Sequence, residues 1–156
     1  YESPAIASWK ETPRLAAILR HNLVLRWLRR GDKDALMEMS TMFRGHHYLA
    51  VDMETMWDSA RVLAEKVGGH LVTVTSHEED AFTSSIFTRG NLCWLGLVPG
   101  ESGDSWLTGE PLVYENYAIP SMRNRPFPKH ITRHGPRWRC ACEPRIRGVF
   151  IIEWDE

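Results

Sequence analysis

The densest group of potential metal ligands lies between residues 130 and 142. His130, His134, Cys140 and Cys142 offer four nitrogen or sulfur donors within 13 residues, and zinc takes four such donors tetrahedrally. The tight Cys-x-Cys spacing is not a standard zinc pattern, and two partly buried thiols with two loop histidines explain the same residues. We therefore expect no cofactor, and zinc is the less favoured alternative.

A concentration of positive charge overlaps this group. Residues 123–147 carry eight basic residues and one acid, a net charge of +7, whereas residues 74–115 carry seven acids and one arginine, a net charge of −6. Arginine presents a planar fork that suits carboxylate, phosphate or sulfate. The segment therefore favours an anionic ligand, although internal pairing of the basic and acidic segments explains the charges equally well. The candidate ligand-binding residues are Arg123, Arg125, Lys129, His130, Arg133, Arg137 and Arg139.

Other functional classes find little support. The sequence has no G-x-S-x-G, phosphate-binding loop or H-E-x-x-H motif, and Cys93 lies in an apolar stretch without the exposure that a reactive thiol needs. Nucleic-acid binding is unlikely, because only Phe127 and Trp138 interleave aromatic rings with the basic run. No apolar run approaches the ~20 residues of a membrane span. We expect a binding protein and not an enzyme.

Residues 48–75 predict the strand–helix–strand unit that must position the candidate residues. Trp57, Ala60, Ala64 and Val67 recur at helical spacing and share one helix face. Gly68 and Gly69 end this helix, and residues 70–75 alternate as a half-buried strand does. Ser76 and Glu79 form a capping box for a second helix. Its predicted apolar face consists of Ala81, Phe82, Ile86 and Phe87.

The first 42 residues predict a tail and a helical extension, and residues 43–156 form the main domain. Thr12 and Pro13 begin a helix that Gly31 ends, and Asp32 caps a short helix through Met39. We favour a solvated helix whose apolar stripe packs on the domain, or the end of a preceding domain, over oligomerisation or membrane-surface binding. The stripe contains Leu15, Ile18, Leu19, Leu23, Trp27 and Leu28.

In the main domain, residues 43–51 should form the first strand and pair with residues 149–154, which brings the ends of the domain together. Residues 118–136 read as a long loop rich in Pro, Arg and His, and long loops on rigid scaffolds often carry function.

Five motifs in this order resemble those of the C-type lectin-like domain. The resemblance covers residues 43–156 and implies an α+β fold, with two main helices beside small antiparallel sheets and a long loop that binds the ligand. The motifs are the W..A helix followed by Gly68–Leu71, Trp94–Leu97, Trp106–Glu110 with Tyr114–Tyr117, Trp138, and Gly148–Trp154.

The resemblance also implies features that this sequence lacks. Family members bind calcium through an EPN or QPD triplet, a following Glu, and an Asn-Asp pair after the tryptophan of the WND motif. Here the loop after Tyr117 has no such triplet and Trp138 is followed by Arg139 and Cys140, so we expect no sugar-binding calcium site. Ala64 and Ile152 stand where the family has a disulfide, and apolar packing should replace it. This cysteine usage favours a reducing compartment or a bacterial-type version of the domain.

These observations predict a calcium-independent binding module that recognises a protein or an anionic glycan through its basic long-loop face. Binding should be sensitive to salt and should weaken when Arg133→Ala is combined with Arg137→Ala. The alternatives are an accessory domain at the C-terminal end of a larger multidomain chain and, less favoured, a zinc-binding domain.

Overall fold

The computed structural model describes residues 13–87, 92–132, 135–143 and 145–155. The predicted tail, Thr12, Arg133 and His134 lie outside the described residues. The structure has four described α-helices and a short 3-10 helix at Pro120–Asn124. The α-helices are α1 (Pro13–Arg30), α2 (Lys33–Glu38), α3 (Trp57–Lys66) and α4 (His77–Ile86).

Seven strands form the main sheet in the order β1-β2-β9-β4-β7-β8, and β3 also pairs with β9. All pairs are antiparallel except β4 with β9. The strands are β1 (Thr41–Phe43), β2 (His46–Thr55), β3 (His70–Leu71), β4 (Leu92–Trp94), β7 (Lys129–Thr132), β8 (Gly135–Cys140) and β9 (Gly148–Trp154). A separate hairpin joins β5 (Leu97–Val98) to β6 (Ser105–Trp106). This confirms the predicted α+β class.

Strand β9 is buried along its whole length and pairs with β2, as expected, with Leu49 opposite Ile152. Ala64 on α3 and Ile152 are both fully buried in one apolar cluster, so the expected apolar packing is present where the resemblance implies a disulfide. The three cysteines are free, with Cys93 in the core and Cys142 exposed. Each large apolar side chain buried here contributes roughly 1.5–3 kcal/mol to stability.

The predicted face of α3 is confirmed, because Trp57, Ala60, Ala64 and Val67 are all buried. Gly68 has φ +76° and ends the helix in the left-handed region that favours glycine. At Gly69 an added Cβ would lie 2.6 Å from a side-chain carbon of Ile152, so a larger residue would push α3 away from the sheet.

The predicted first strand over residues 43–51 is wrong in detail. The chain forms two strands, β1 and β2, joined by a tight turn in which Arg44 and Gly45 have φ values of +51° and +85°. The predicted strand over residues 70–75 is also too long. Only His70 and Leu71 pair as β3, and Val72, Thr73 and Val74 are all fully buried instead of alternating.

Helix α4 begins as predicted, but its buried face is more polar than expected. The Ser76 hydroxyl accepts a hydrogen bond from the amide of Glu79 (3.1 Å), whereas the Glu79 side chain accepts one from the Thr75 hydroxyl. The fully buried residues of the helix are Asp80 and Thr83, whereas Ala81 is exposed. The predicted apolar face is therefore only partly correct.

Helix α1 packs on the domain through Val24 and Leu28, which join the same core cluster as α3 and β9. The rest of the expected stripe is largely open, since Leu15, Ile18, Leu19 and Leu23 keep 39–47% of their surface exposed. Residues 13–20 are exposed throughout, although Arg20 donates to the carbonyl of Met39 (2.6 Å), so the buried contacts of α1 lie in its second half. The domain boundary at residues 42/43 stays a prediction.

Candidate ligand-binding surface

Strand β8 places two arginines outward and two apolar side chains inward. Trp138 and Cys140 are buried, whereas Arg137 and Arg139, which alternate with them, are exposed, because successive side chains of a strand point to opposite faces. Trp138 is fully buried among aromatic rings. The rings of Trp106, Tyr114 and Tyr117 stand edge-on to it, with centroid distances of 5.2–5.9 Å.

The segment before the 3-10 helix runs alongside β8. The amide of Trp138 donates to the carbonyl of Asn116 (2.7 Å), and the amide of Ala118 donates to the carbonyl of Trp138 (2.8 Å). The Cys140 thiol then donates to the carbonyl of Met122 within the 3-10 helix (3.4 Å). These bonds hold the 3-10 helix, and Arg123 at its end, next to the strand that carries Arg137 and Arg139.

Asp80 on α4 holds the segment before the 3-10 helix in place through two hydrogen bonds. Its Oδ2 accepts hydrogen bonds from the Tyr114 hydroxyl and the Asn116 amide, both at 2.9 Å, and the Asn116 amide also donates to the carbonyl of Pro136 (3.2 Å). Burial raises the pKa of Asp80, although these donors act in the opposite direction. Asn116 therefore links α4 to β8.

Two of the predicted binding residues lie in the core. Lys129 has no exposed surface, and its ammonium donates to Asp104 Oδ1 (2.9 Å) and to the carbonyls of Phe127 (2.8 Å) and Arg125 (3.2 Å). His130 is 6% exposed and packs edge-on against Trp94. Neither residue offers a group to a ligand at the surface, so we remove both from the predicted site.

The alternative of internal charge pairing accounts for part of the basic segment. Besides the Lys129–Asp104 pair, Arg123 donates to Glu115 and lies over the ring of Tyr117 at 5.6 Å. None of the ion pairs within the described residues uses Arg125, Arg137 or Arg139. These three arginines are exposed, and they leave a net positive surface after internal pairing.

We define the arginine surface as Arg123, Arg125, Arg137 and Arg139. Arg137 and Arg139 also line a depression of about 170 Å³ between β7 and β8, together with Thr132, Gly135 and Pro136. A larger cleft of about 310 Å³ lies elsewhere, between α1, β2 and the end of α4. The arginine surface is thus a shallow, open surface and not a deep pocket.

The predicted zinc ligands are only partly described, because His134 lies outside the described residues. The donor atoms of His130, Cys140 and Cys142 do not form a group within 4.8 Å of one another. Cys142 is exposed, whereas His130 and Cys140 are buried. The described members therefore do not favour a shared metal ion.

Among the helices that the structure describes, none has both the length and the apolar character that a membrane span requires.

Comparisons with known proteins identify a family whose model matches this chain. The family model for the lectin C-type domain matches residues 54–140, which is more than half of the chain. The mouse secretory phospholipase A2 receptor is 35% identical over 82 residues, which cover 48% of this chain and 5% of the receptor. The chain therefore spans only a small part of the length of that relative.

Solved structures show the same fold at low sequence identity. Human lithostathine superposes with a TM-score of 0.67 and 20% identity, covering 75% of this chain and 88% of the other. A calcium-independent type II antifreeze protein superposes with a TM-score of 0.66 and 18% identity, covering 74% of this chain and 90% of the other. Both matches support the arrangement of helices and sheets described above.

Proposed function

The chain belongs to the C-type lectin domain family, as its five sequence motifs predicted, and we propose that it is a calcium-independent binding module. Its arginine surface would recognise an anionic group on a glycan or a protein. The observation that carries this proposal is the pair of exposed arginines, Arg137 and Arg139, on the outward face of β8. Strand β8 pairs with β7, so the predicted long loop over residues 118–136 is too long and includes the strand at residues 129–132. C-type lectin domains are generally binding modules, which agrees with the lack of catalytic motifs.

The residues at the expected calcium position do not fit calcium. Calcium takes six to eight oxygen ligands, mostly from carboxylates and carbonyls. The two residues after Trp138 are an exposed guanidinium, Arg139, and a buried thiol, Cys140. A fixed positive charge repels a divalent cation, and a thiol is a poor ligand for a hard one.

The chemistry of the ligand follows from the arginines. A guanidinium binds carboxylate, sulfate or phosphate oxygens through parallel N–H donors. Arg137 and Arg139 are two residues apart on one strand face, a spacing of roughly 7 Å, and neither is used in an ion pair within the described part of the chain. A repeated anionic polymer such as a sulfated glycan, or an acidic protein surface, matches this spacing of charges.

A glycan and polyanion array, probed with the purified chain in the presence and absence of a chelator, tests this proposal. We expect binding to sulfated or carboxylated glycans that is unchanged by chelator and is reduced by added salt. Binding to neutral sugars that requires calcium would contradict the proposal on both counts. An Arg29→Ala, Arg30→Ala variant of the full chain serves as a control for contributions from the α1 arginines, because both residues are exposed.

The accessory-domain alternative is favoured by the exposed apolar residues of α1. Leu15, Ile18, Leu19 and Leu23 keep 39–47% of their surface exposed, and exposed apolar patches commonly mark contacts with other protein segments. Sedimentation equilibrium of the chain and of a Leu15→Gln, Leu19→Gln variant tests this idea. Association that increases with concentration and disappears in the variant would support it, and a monomer in both cases would count against it.

The bacterial-type version and the reducing compartment inferred from cysteine usage stay predictions. The relatives named above include mouse and human proteins, which give no support to a bacterial-type version. The free thiols of Cys93, Cys140 and Cys142 are compatible with a reducing environment.

A further inference from the structure

Four titratable side chains meet at the end of β9, namely His46, His70, Glu153 and Asp155. Strands β4 and β7 separate β9 from β8, the strand that carries Arg137 and Arg139. Glu153 and Asp155 are two residues apart, a spacing that places side chains on one face of a strand. His46 is contributed by β2 and His70 by β3, the two strands that pair with this part of β9. The hydrogen-bonding pattern of the sheet therefore brings two histidines and two carboxylates together from three parts of the chain.

The donor atoms are close enough to share one small cation. His46 Nδ1 lies 2.6 Å from Glu153 Oε2 and 3.3 Å from Asp155 Oδ1, and the three atoms all lie within 4.8 Å of one another. A tetrahedral zinc ion with bonds of about 2.0–2.2 Å holds its ligand atoms roughly 3.3 Å apart. The His46–Asp155 distance already matches this separation, whereas the His46–Glu153 contact would have to lengthen by about 0.7 Å.

The surroundings orient these ligands in the way that metal sites require. Glu153 is buried, and its Oε1 accepts a hydrogen bond from the amide of Thr73 (3.0 Å), which leaves Oε2 facing His46. His46 and Asp155 are partly exposed, with side-chain exposures of 36% and 56%, so an ion could enter from solvent and keep a water ligand. Buried partners that fix one atom of each ligand are typical of metal sites in proteins.

His70 fixes the position of Asp155. Its Nδ1 lies 2.8 Å from the carbonyl of Leu71, which can only accept, so Nδ1 carries the hydrogen. In the neutral ring Nε2 is then an acceptor, and it faces another acceptor, Asp155 Oδ1, at 3.0 Å. A proton on Nε2 makes His70 an imidazolium, and its charged hydrogen bond to Asp155 holds that carboxylate beside His46.

We propose that His46, Glu153 and Asp155 form a binding site for zinc or a similar divalent transition metal, with His70 holding Asp155 in place. Imidazole and carboxylate donors suit such a metal. Calcium does not match this ligand set, because it prefers six to eight oxygens. The site is independent of the arginine surface, so its failure would leave the proposed binding function unaffected.

Cobalt and zinc titrations of the chelator-treated chain test the site. We expect one Zn²⁺ per chain by equilibrium dialysis with elemental analysis, and visible Co²⁺ absorption bands of a four- or five-coordinate ion. His46→Gln and Asp155→Asn should each weaken metal binding about tenfold or more. His47→Gln is the matched control, because His47 is the next residue of β2 and contacts Ser40 instead of the cluster.

Three outcomes would overturn the proposal. The first is a chain that binds no stoichiometric zinc, which would mean that protons hold the four side chains together. The second is zinc binding that survives His46→Gln and Asp155→Asn but is lost on Cys140→Ser with Cys142→Ser, which would place the ion near the long loop. The third is stoichiometric binding of Ca²⁺ with no binding of Zn²⁺. Circular dichroism of each variant would show that the fold is retained.

Discussion

Lys129 on β7 and Arg139 on β8 lie on paired strands, one position apart in register, yet their surroundings are opposite. Lys129 is fully buried and ion-paired with Asp104, whereas Arg139 is exposed. Lys129 lies opposite Cys140 and shares its buried face, whereas Arg139 points to the other face of β8, which is open to solvent. Lys129 therefore contributes to stability, whereas Arg139 is available for recognition.

Of the substitutions considered, replacement of the buried cation Lys129 should lower stability the most. Lys129→Met removes an ammonium that satisfies three acceptors and leaves Asp104 buried without its charge partner, so we expect a loss of about 3–5 kcal/mol in the free energy of unfolding. Urea denaturation monitored by tryptophan fluorescence measures this loss. Adding Asp104→Asn to Lys129→Met should recover part of it. A change below about 1 kcal/mol in the single variant would mean that Lys129 is not held as described.

His130 sharpens the same contrast, because it lies opposite Arg139 in the register yet is buried. Burial lowers the pKa of His130 below its usual value of 6.5, and nearby Arg139 acts in the same direction. The folded state therefore binds a proton less readily than the unfolded state. Stability from the neutral ring is fully present above pH 6.5 and is lost as the pH falls below 6.5.

His130→Phe removes this titration while keeping a ring against Trp94. We expect the free energy of unfolding of the parent chain to fall more steeply between pH 7 and pH 5 than that of the variant. Other titrating groups, such as His46 and His70, are present in both chains and cancel in the difference. Parallel pH profiles would show that His130 is solvated in the folded state.

The exposed pair between Arg123 and Glu115 should have the smallest effect on stability. Both partners are partly open to solvent, with side-chain exposures of 50% and 32%, and such pairs contribute about 0–1 kcal/mol. Arg123→Ala should therefore lower the free energy of unfolding by less than about 1 kcal/mol. A larger loss would indicate that Arg123 fixes the 3-10 helix and belongs with Lys129 as a structural cation.

The contrast also explains which predictions from sequence succeeded. The face of α3 was readable because Trp57, Ala60 and Ala64 follow helical spacing, and the Ser76 cap follows from a local hydrogen bond. The burial of Lys129 and His130 could not be read in this way, since a strand covered on both faces shows no alternation of polar and apolar residues. The break between β1 and β2 was missed because Arg44-Gly45 is not among the turn dipeptides that signal a hairpin.

Helix α1 illustrates a different limit. Its apolar residues predicted burial, but which part of the stripe meets the domain depends on where the helix lies along β2, and that is set by tertiary contacts of Val24 and Leu28. Asp80 was likewise not identified as the residue that holds Tyr114 and Asn116 against β8, because its partners lie 34 and 36 residues away in sequence.

The affinity of the chain for heparin, a sulfated glycan, at several salt concentrations with chelator present tests the central claim most directly. The Arg137→Ala, Arg139→Ala variant should bind about tenfold more weakly, or about 1.4 kcal/mol, with a shallower salt dependence and a free energy of unfolding within about 0.5 kcal/mol of the parent. The matched Arg29→Ala, Arg30→Ala variant, which removes two exposed arginines from α1, should bind like the parent. Equal affinities of the parent and the Arg137→Ala, Arg139→Ala variant, or binding that needs calcium, would contradict the claim.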